Sequence, residues 1–211
     1  MPSIRPYQRS DQAAVYDICV RTGHAGADAR PVYRDPVIFP EIFAGPYLAL
    51  DPGLCFVLAD DTDTPVGYVL GTADTATFVH RFEQLWLPTV ADRYPAPAGE
   101  PSTRDELMAL LLHTPRRMLR PELERYPAHL HIDLLPGYQR AGHGRALIET
   151  LVAALRARGV RGLHLGMSPE NQAALRFYPR VGFHLIEVSG DDPVLYLGRL
   201  LDGSPLLDDH H

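Results

Sequence analysis

The chain has few cysteines, no long hydrophobic run and no excess of basic residues, and each shortage narrows what it can be. Only Cys19 and Cys55 occur among its 211 residues. Both sit in apolar stretches without metal-ligand spacing, so buried free thiols are expected rather than a disulfide framework. No apolar run approaches the ~20 residues needed to span a bilayer. The opening Met-Pro-Ser-Ile-Arg-Pro-Tyr lacks the apolar centre of a secretion signal, so a cytoplasmic location is expected. With 26 acidic against 20 basic side chains, the formal net charge of −6 argues against nucleic acid and anionic membrane as partners.

What remains is an ordinary globular composition, 45% hydrophobic and 22% charged, on a chain long enough for a substantial core. Prolines and glycines crowd into residues 23–53 and 95–137, as expected of a scaffold carrying long loops. Residues 4–7 read as a first strand. Ser10 reads as the N-cap of a helix with Ala14, Val15, Ile18 and Cys19 on its apolar face, and Gly23 as its end. Residues 24–53 set Pro31, Pro36, Pro40, Pro46 and Pro52 among Tyr33, Phe39, Phe43 and Tyr47. Proline interrupts helices and ladders while aromatics require burial, which predicts an ordered lid or wall with a helical turn near residues 40–43.

Residues 54–59 and 66–72 read as hairpin strands. The acidic tract between them lacks the glycine and glutamate of a calcium loop, so a turn is expected. Residues 75–128 carry Phe78, Phe82 and Trp86, with helices predicted over 103–113 and 121–126. No second core is evident there, which makes this segment an insertion. A strand follows over 129–135. A helix over 145–158 repeats Ala146, Leu147, Thr150, Leu151, Ala154 and Leu155 at 3.6-residue spacing. Residues 162–167 read as a strand, Ser168-Pro169-Glu170 as the opening of a helix with proline at its first position, and 183–188 and 194–200 as final strands. Residues 1–205 are expected to form one domain, with 206–211 as a tail given no metal role.

Two patterns carry chemistry. Residues 139–144 read Gln-Arg-Ala-Gly-His-Gly between a strand and a helix. Glycine admits close backbone approach, and the first N–H groups of a helix lack partners within it, so the loop suits an anion. It has neither the Gly-Lys-Ser/Thr of a Walker loop nor the third glycine of a dinucleotide fingerprint. On the preceding strand His129, His131 and Asp133 alternate with Leu130, Ile132 and Leu134. Period two therefore sets two imidazoles and a carboxylate on one face, able to tune a base toward neutral pH or to form a structural polar cluster.

The Gln-x-x-Gly-x-Gly loop, the segment Asn171-x-x-Ala174-x-x-Phe177-Tyr178-x-x-x-Gly182-Phe183, the opening Ile-Arg-Pro-Tyr with Asp11 and the final strand pair occur in the order seen in GCN5-related N-acetyltransferases (GNATs). The chain resembles that superfamily. Cys-Phe-Val-Leu at 55–58, Gly-Tyr-Val-Leu-Gly-Thr at 67–72, Trp86-Leu-Pro with Tyr94, and Leu197-Gly-Arg-Leu extend the resemblance to the acetyltransferase-like domain of protein O-GlcNAc hydrolases and its stand-alone bacterial relatives. The resemblance implies an α/β GNAT fold: a central mixed, mostly antiparallel sheet with splayed strands, helices on both faces, and a long helical insertion between the third and fourth strands.

It further implies acetyl-CoA as co-substrate, without a metal. Pantetheine would pair with the backbone of Leu134 and Leu135, and pyrophosphate with Gln139, Arg140, Ala141, Gly142, His143 and Gly144, aided by Arg145. Asn171 is either a cofactor contact or a helix-start residue. Tyr178 is the candidate acid for the departing thiolate, since a phenol can give that sulfur a proton. His131 and Asp133 are candidate bases. Trp86, Tyr33, Tyr47 and Phe78 are candidate pocket walls or core residues. The implied partner is an amine acceptor, a small molecule or a protein or peptide, acted on by a monomer or homodimer. The alternative is an acyl-CoA-binding pseudo-acetyltransferase that senses or interacts without turnover.

Overall fold

In the computed structural model, which describes residues 1–190 and 193–201, the chain runs β1 (Ser3–Pro6), α1 (Gln12–Thr22), α2 (Ile38–Phe43), α3 (Gly45–Leu50), β2 (Cys55–Ala59) and β3 (Pro65–Thr72). The insertion follows as α4 (Thr75–Arg81), a π-helical turn over Phe82–Trp86, α5 (Leu87–Val90) and α6 (Arg104–His113). Then come β4 (Ala128–Leu134), α7 (His143–Arg156), β5 (Gly162–Met167), α8 (Gln172–Phe177), β6 (His184–Ile186) and β7 (Leu195–Leu200). The residues assigned above to a tail lie outside those described.

The strands form one sheet in the order β1-β2-β3-β4-β5-β7-β6. Every neighbouring pair is antiparallel except β4 with β5. The mixed, mostly antiparallel sheet, the helices on both faces and the insertion between the third and fourth strands all match the expected fold. β3 is buried along its whole length because α1 and α3 cover one face of it and α7 the other.

Two apolar clusters follow from this layering. On one face Ile18, Phe39 and Tyr47 pack with Phe78, Phe82 and Leu112 of the insertion. The insertion thus extends an existing core and builds none of its own. On the other face α7 packs on Val69, Leu130 and Leu163. Its buried residues are Leu147, Ile148, Leu151, Val152 and Leu155. This stripe is rotated by about one residue from the expected one, because Ile148 and Val152 bury more apolar surface than the alanines at 146 and 154.

Several boundaries moved for local reasons. Ser10 does not cap α1. Asp11 accepts the Gln8 N–H at 2.8 Å and two bonds from Arg5 at 2.7 and 2.9 Å, which draws residues 9–11 into a 3-10 turn. The Arg5 guanidinium holds the Asp11 carboxyl below the usual carboxylate range. Pro169 does not open α8. The cap is Asn171, whose Oδ1 accepts the Ala174 N–H at 3.1 Å, a bond that satisfies one of the free donors of the first turn. Only Pro121–Leu123 is helical in the segment expected over 121–126, and it is a 3-10 turn. The strand expected over 183–188 shortens to β6, and α7 begins two residues before its expected start. The acidic tract is a turn, in which Asp60 Oδ1 accepts the Thr62 and Thr64 N–H groups at 2.8 and 3.0 Å. Among the described residues no helix is long and apolar enough to cross a membrane.

Leu151 is fully buried, and a Cβ at Gly71 would meet its Cδ2 at 3.0 Å. Replacing Leu151 with Ala is expected to lower unfolding stability by about 2–5 kcal/mol, read from denaturant titration. A loss within 0.5 kcal/mol would show that α7 does not depend on this contact.

Candidate active site

The site begins where a ladder ends. β4 and β5 pair in register only at Ala128–Leu163 and His129–His164, and beyond these the strands diverge. On its other edge β4 stays paired with β3 to Leu134–Gly67. Antiparallel pairs alternate between bonded and non-bonded, and the Leu135 N–H is bonded to the Val66 carbonyl at 3.0 Å. The backbone groups of Ile132 and Leu134 therefore turn toward the opening. Leu134 offers its N–H there, while its carbonyl accepts Gln139 Nε2 at 2.8 Å. Leu135 differs from Leu134: its N–H is held by Val66, and its carbonyl accepts the Tyr138 N–H at 2.9 Å.

The glycine loop lies at the open end. Gly142 caps α7 with φ +85°, in the left-handed region that favours glycine. No side chain caps this helix, whereas Thr103 and Glu106 cap α6 reciprocally. The first N–H groups of α7 are thus left for a ligand. A Cβ at Gly144 would meet Phe177 Cζ at 3.2 Å, so glycine lets α8 approach α7 closely. Arg140 and Ala141 are exposed. Arg145 is tied across to the Arg180 carbonyl at 2.5 Å. Asn171 stands at the start of α8, with Oδ1 on the Ala174 N–H.

Tyr178 is 7% exposed and meets Phe183 edge-on at 5.5 Å between ring centroids. Burial and the Asp133 charge push its phenol well above the ordinary range, so it stays a proton donor at neutral pH. The three alternating polar residues of β4 do share one face, where the sequence left their partners unread. Tyr68 donates to Asp133 Oδ2 at 2.5 Å across the β3–β4 register. Burial raises the Asp133 carboxyl to about 6 against the pull of that hydrogen bond. Tyr47 joins the two imidazoles, 2.6 Å from His129 Nε2 and 3.1 Å from His131 Nε2. Burial, then the neighbouring Arg117, lowers His131 to about 4. His129 is pushed well below the ordinary histidine value by burial, reinforced by His164 and His131.

Comparison with known proteins agrees with this geometry. Residues 105–183 match the model of the acetyltransferase (GNAT) family. A solved structure named SsHAT is 56% identical, covers 95% of this chain and 98% of its own, and superposes with a TM-score of 0.92. The chain belongs to the GNAT acetyltransferase family. It is also 30% identical over 204 residues to protein O-GlcNAcase of Rattus norvegicus, an alignment covering 94% of this chain and 22% of that protein. The chain therefore spans about a fifth of the length of that relative. Over 54 residues it is 47% identical to the ribosomal protein bS18-alanine N-acetyltransferase of Escherichia coli K12, covering 26% of this chain and 36% of that one.

Within the family frame, Tyr47 and Phe78 are core residues, stacked at 4.5 Å. Trp86 is half-buried and donates from Nε1 to the Glu41 carbonyl at 2.8 Å. Both cysteines are buried and free, and burial pushes Cys55 up to about 12. Tyr68 and Thr75, the latter 2.8 Å from His129 Nδ1, went unnoticed in the sequence. The register that pairs Tyr68 with Asp133 was not legible, because the hairpin and the polar strand were read as separate elements. Because a hydrogen bond to a carboxylate favours its charged form, Tyr68→Phe is expected to raise the Asp133 pKa above 6. Carboxyl NMR titration reads this, and an unchanged midpoint would refute the coupling.

Proposed function

We propose that the chain is an acetyl-CoA-dependent N-acetyltransferase acting on a primary amine by direct attack within a ternary complex. The observation that carries this reading is the divergence of β4 from β5 above an uncapped, glycine-started helix. That opening offers backbone donors for an amide-bearing arm and, one turn away, for a diphosphate. In this reading Leu134 pairs with pantetheine, and the N–H groups from Gln139 to Gly144 hold the pyrophosphate with Arg140 adding charge. Residues 1–205 are read as one domain interrupted by the 75–128 insertion.

Asp133, ionised above about pH 6, holds the incoming ammonium. His131 takes its proton, and the amine nitrogen attacks the thioester carbonyl. As the carbon–sulfur bond breaks, Tyr178 gives its phenolic proton to the sulfur, leaving an amide and free CoA thiol. The acceptor is a cationic amine of a small molecule or a polypeptide. The sequence contains no lysine, so acetylation of the protein's own side-chain amines adds nothing to thiol release.

Acetyl-CoA at about 100 times its Kd is expected to stabilise the fold by about 2.7 kcal/mol, read by thermal shift. Thiol release with a panel of amines and peptides then tests turnover. Stabilisation without release on any acceptor would favour the non-catalytic alternative, and no stabilisation would sink the cofactor reading. Tyr178→Phe is expected to lower kcat by about 10²-fold with acetyl-CoA affinity unchanged. The kcat/KM for a cationic amine should rise with pH through about 6, a limb that Asp133→Asn removes.

A further inference from the structure

One chain of buried polar groups leads inward from the base of the transfer chemistry above. It begins at His131, passes through Tyr47 to His129, and ends at Thr75, whose hydroxyl donates to the Pro127 carbonyl at 2.8 Å. That last bond sets the direction of the rest. A carbonyl only accepts, so the single Thr75 proton points to Pro127, and the Thr75 oxygen accepts from His129 Nδ1–H at 2.8 Å. His129 Nε2 then holds the lone pair and accepts from Tyr47 at 2.6 Å. The Tyr47 oxygen in turn accepts from His131 Nε2–H at 3.1 Å. His131 Nδ1 is left as a lone pair that no described residue hydrogen-bonds, on the strand face that carries Asp133.

The two ends of this chain open on different surfaces. His131 is half-buried beside Phe43 on the side of the strand divergence. Thr75 lines a groove of about 450 Å³ beneath the insertion, together with Arg120, Tyr126, Pro127 and His164. Arg117 from the insertion and His164 from β5 face the rings and, with burial, oppose positive charge on either imidazole. A proton arriving at His131 is therefore not held there.

We propose that His131, Tyr47, His129 and Thr75 form a directed proton relay carrying the proton lost by the incoming amine to the groove under the insertion. The proposal rests on the amine-transfer reading. The step balances as follows. The ammonium proton bonds to His131 Nδ1 while the Nε2 proton passes to the Tyr47 oxygen. The Tyr47 proton passes to His129 Nε2 and the His129 Nδ1 proton to the Thr75 oxygen, while the Thr75 hydroxyl breaks its bond to the Pro127 carbonyl and gives its own proton to water in the groove. Each ring ends neutral in its other tautomer, with the three hydrogen bonds among the four side chains reversed. Return to the first polarity requires the two hydroxyls to turn and both rings to exchange tautomers. The insertion thereby supplies the outer end of the relay through Thr75, at the start of α4.

Nitrogen-15 NMR of the labelled imidazoles tests the chain without turnover. The parent protein is expected to show His129 as Nδ1–H and His131 as Nε2–H. Thr75→Val removes the acceptor for His129 Nδ1–H, so both rings should switch, including His131 two hydrogen bonds away. Adding Tyr47→Phe, which keeps the ring stacked on Phe78, should abolish the effect of Thr75→Val on His131. An unchanged His131 tautomer in Thr75→Val would overturn the relay.

In turnover, Tyr47→Phe and Thr75→Val should each lower kcat at least ten-fold with the KM for acetyl-CoA unchanged, while Thr75→Ser restores the parental rate. A curved proton inventory in mixed light and heavy water should become linear in Tyr47→Phe. Parental kcat in both variants would equally overturn the relay. Tautomer coupling in a protein that releases no thiol would instead overturn the amine-transfer reading alone.

Discussion

Parallel pairing between β4 and β5 stops after His129 and His164, and the candidate site is arranged around the backbone groups this frees. A strand edge left unpaired in a protein interior is costly, because each N–H and carbonyl must find a partner. Here the freed edge leads to the N-terminus of α7, which presents another set of backbone donors that no side chain caps. Both are backbone features, set by strand register and by the left-handed turn at Gly142. The glycines contribute by conformation and by space: Gly142 supplies the left-handed turn, and Gly144 admits Phe177.

The opposite face of β4 solves a different problem. Two imidazoles and a carboxylate would be expensive to bury alone. Each has a phenol or hydroxyl from an element packed over it: Tyr68 from β3, Tyr47 from α3 and Thr75 from α4. The network lies against the apolar cluster formed by α1–α3 and the insertion, so water is largely excluded. Burial then moves the carboxyl up and the imidazoles down. Asp133 is left able to change charge near neutral pH, and both rings stay uncharged.

Legibility in the sequence followed range. The strand–loop–helix around residues 139–144 and the Asn171–Phe183 segment are local, and both were readable from residue order. So was the shared face of His129, His131 and Asp133, which needs only period two. Tyr47 was legible as an aromatic requiring burial, but its hydroxyl lies 82 residues from its His129 partner. Thr75 carried no signal, since a single threonine at a helix start reads as ordinary capping. The cap of α1 was misplaced because Arg5, on a separate strand, competes for Asp11. That the Leu135 N–H faces Val66 was not legible either, because a sequence shows where a strand ends but not which edge its last N–H faces.

The sequence by itself determined the family frame, the order of elements, the glycine-started helix and the polar face of β4, because each depends on chain-local periodicity or on residues that tolerate unusual backbone. Only the tertiary structure decided where β4 and β5 part, which backbone groups face the opening, and how four side chains from three segments hydrogen-bond to one another. Those depend on register and packing between distant segments, where a shift of one residue turns every side chain to the other face.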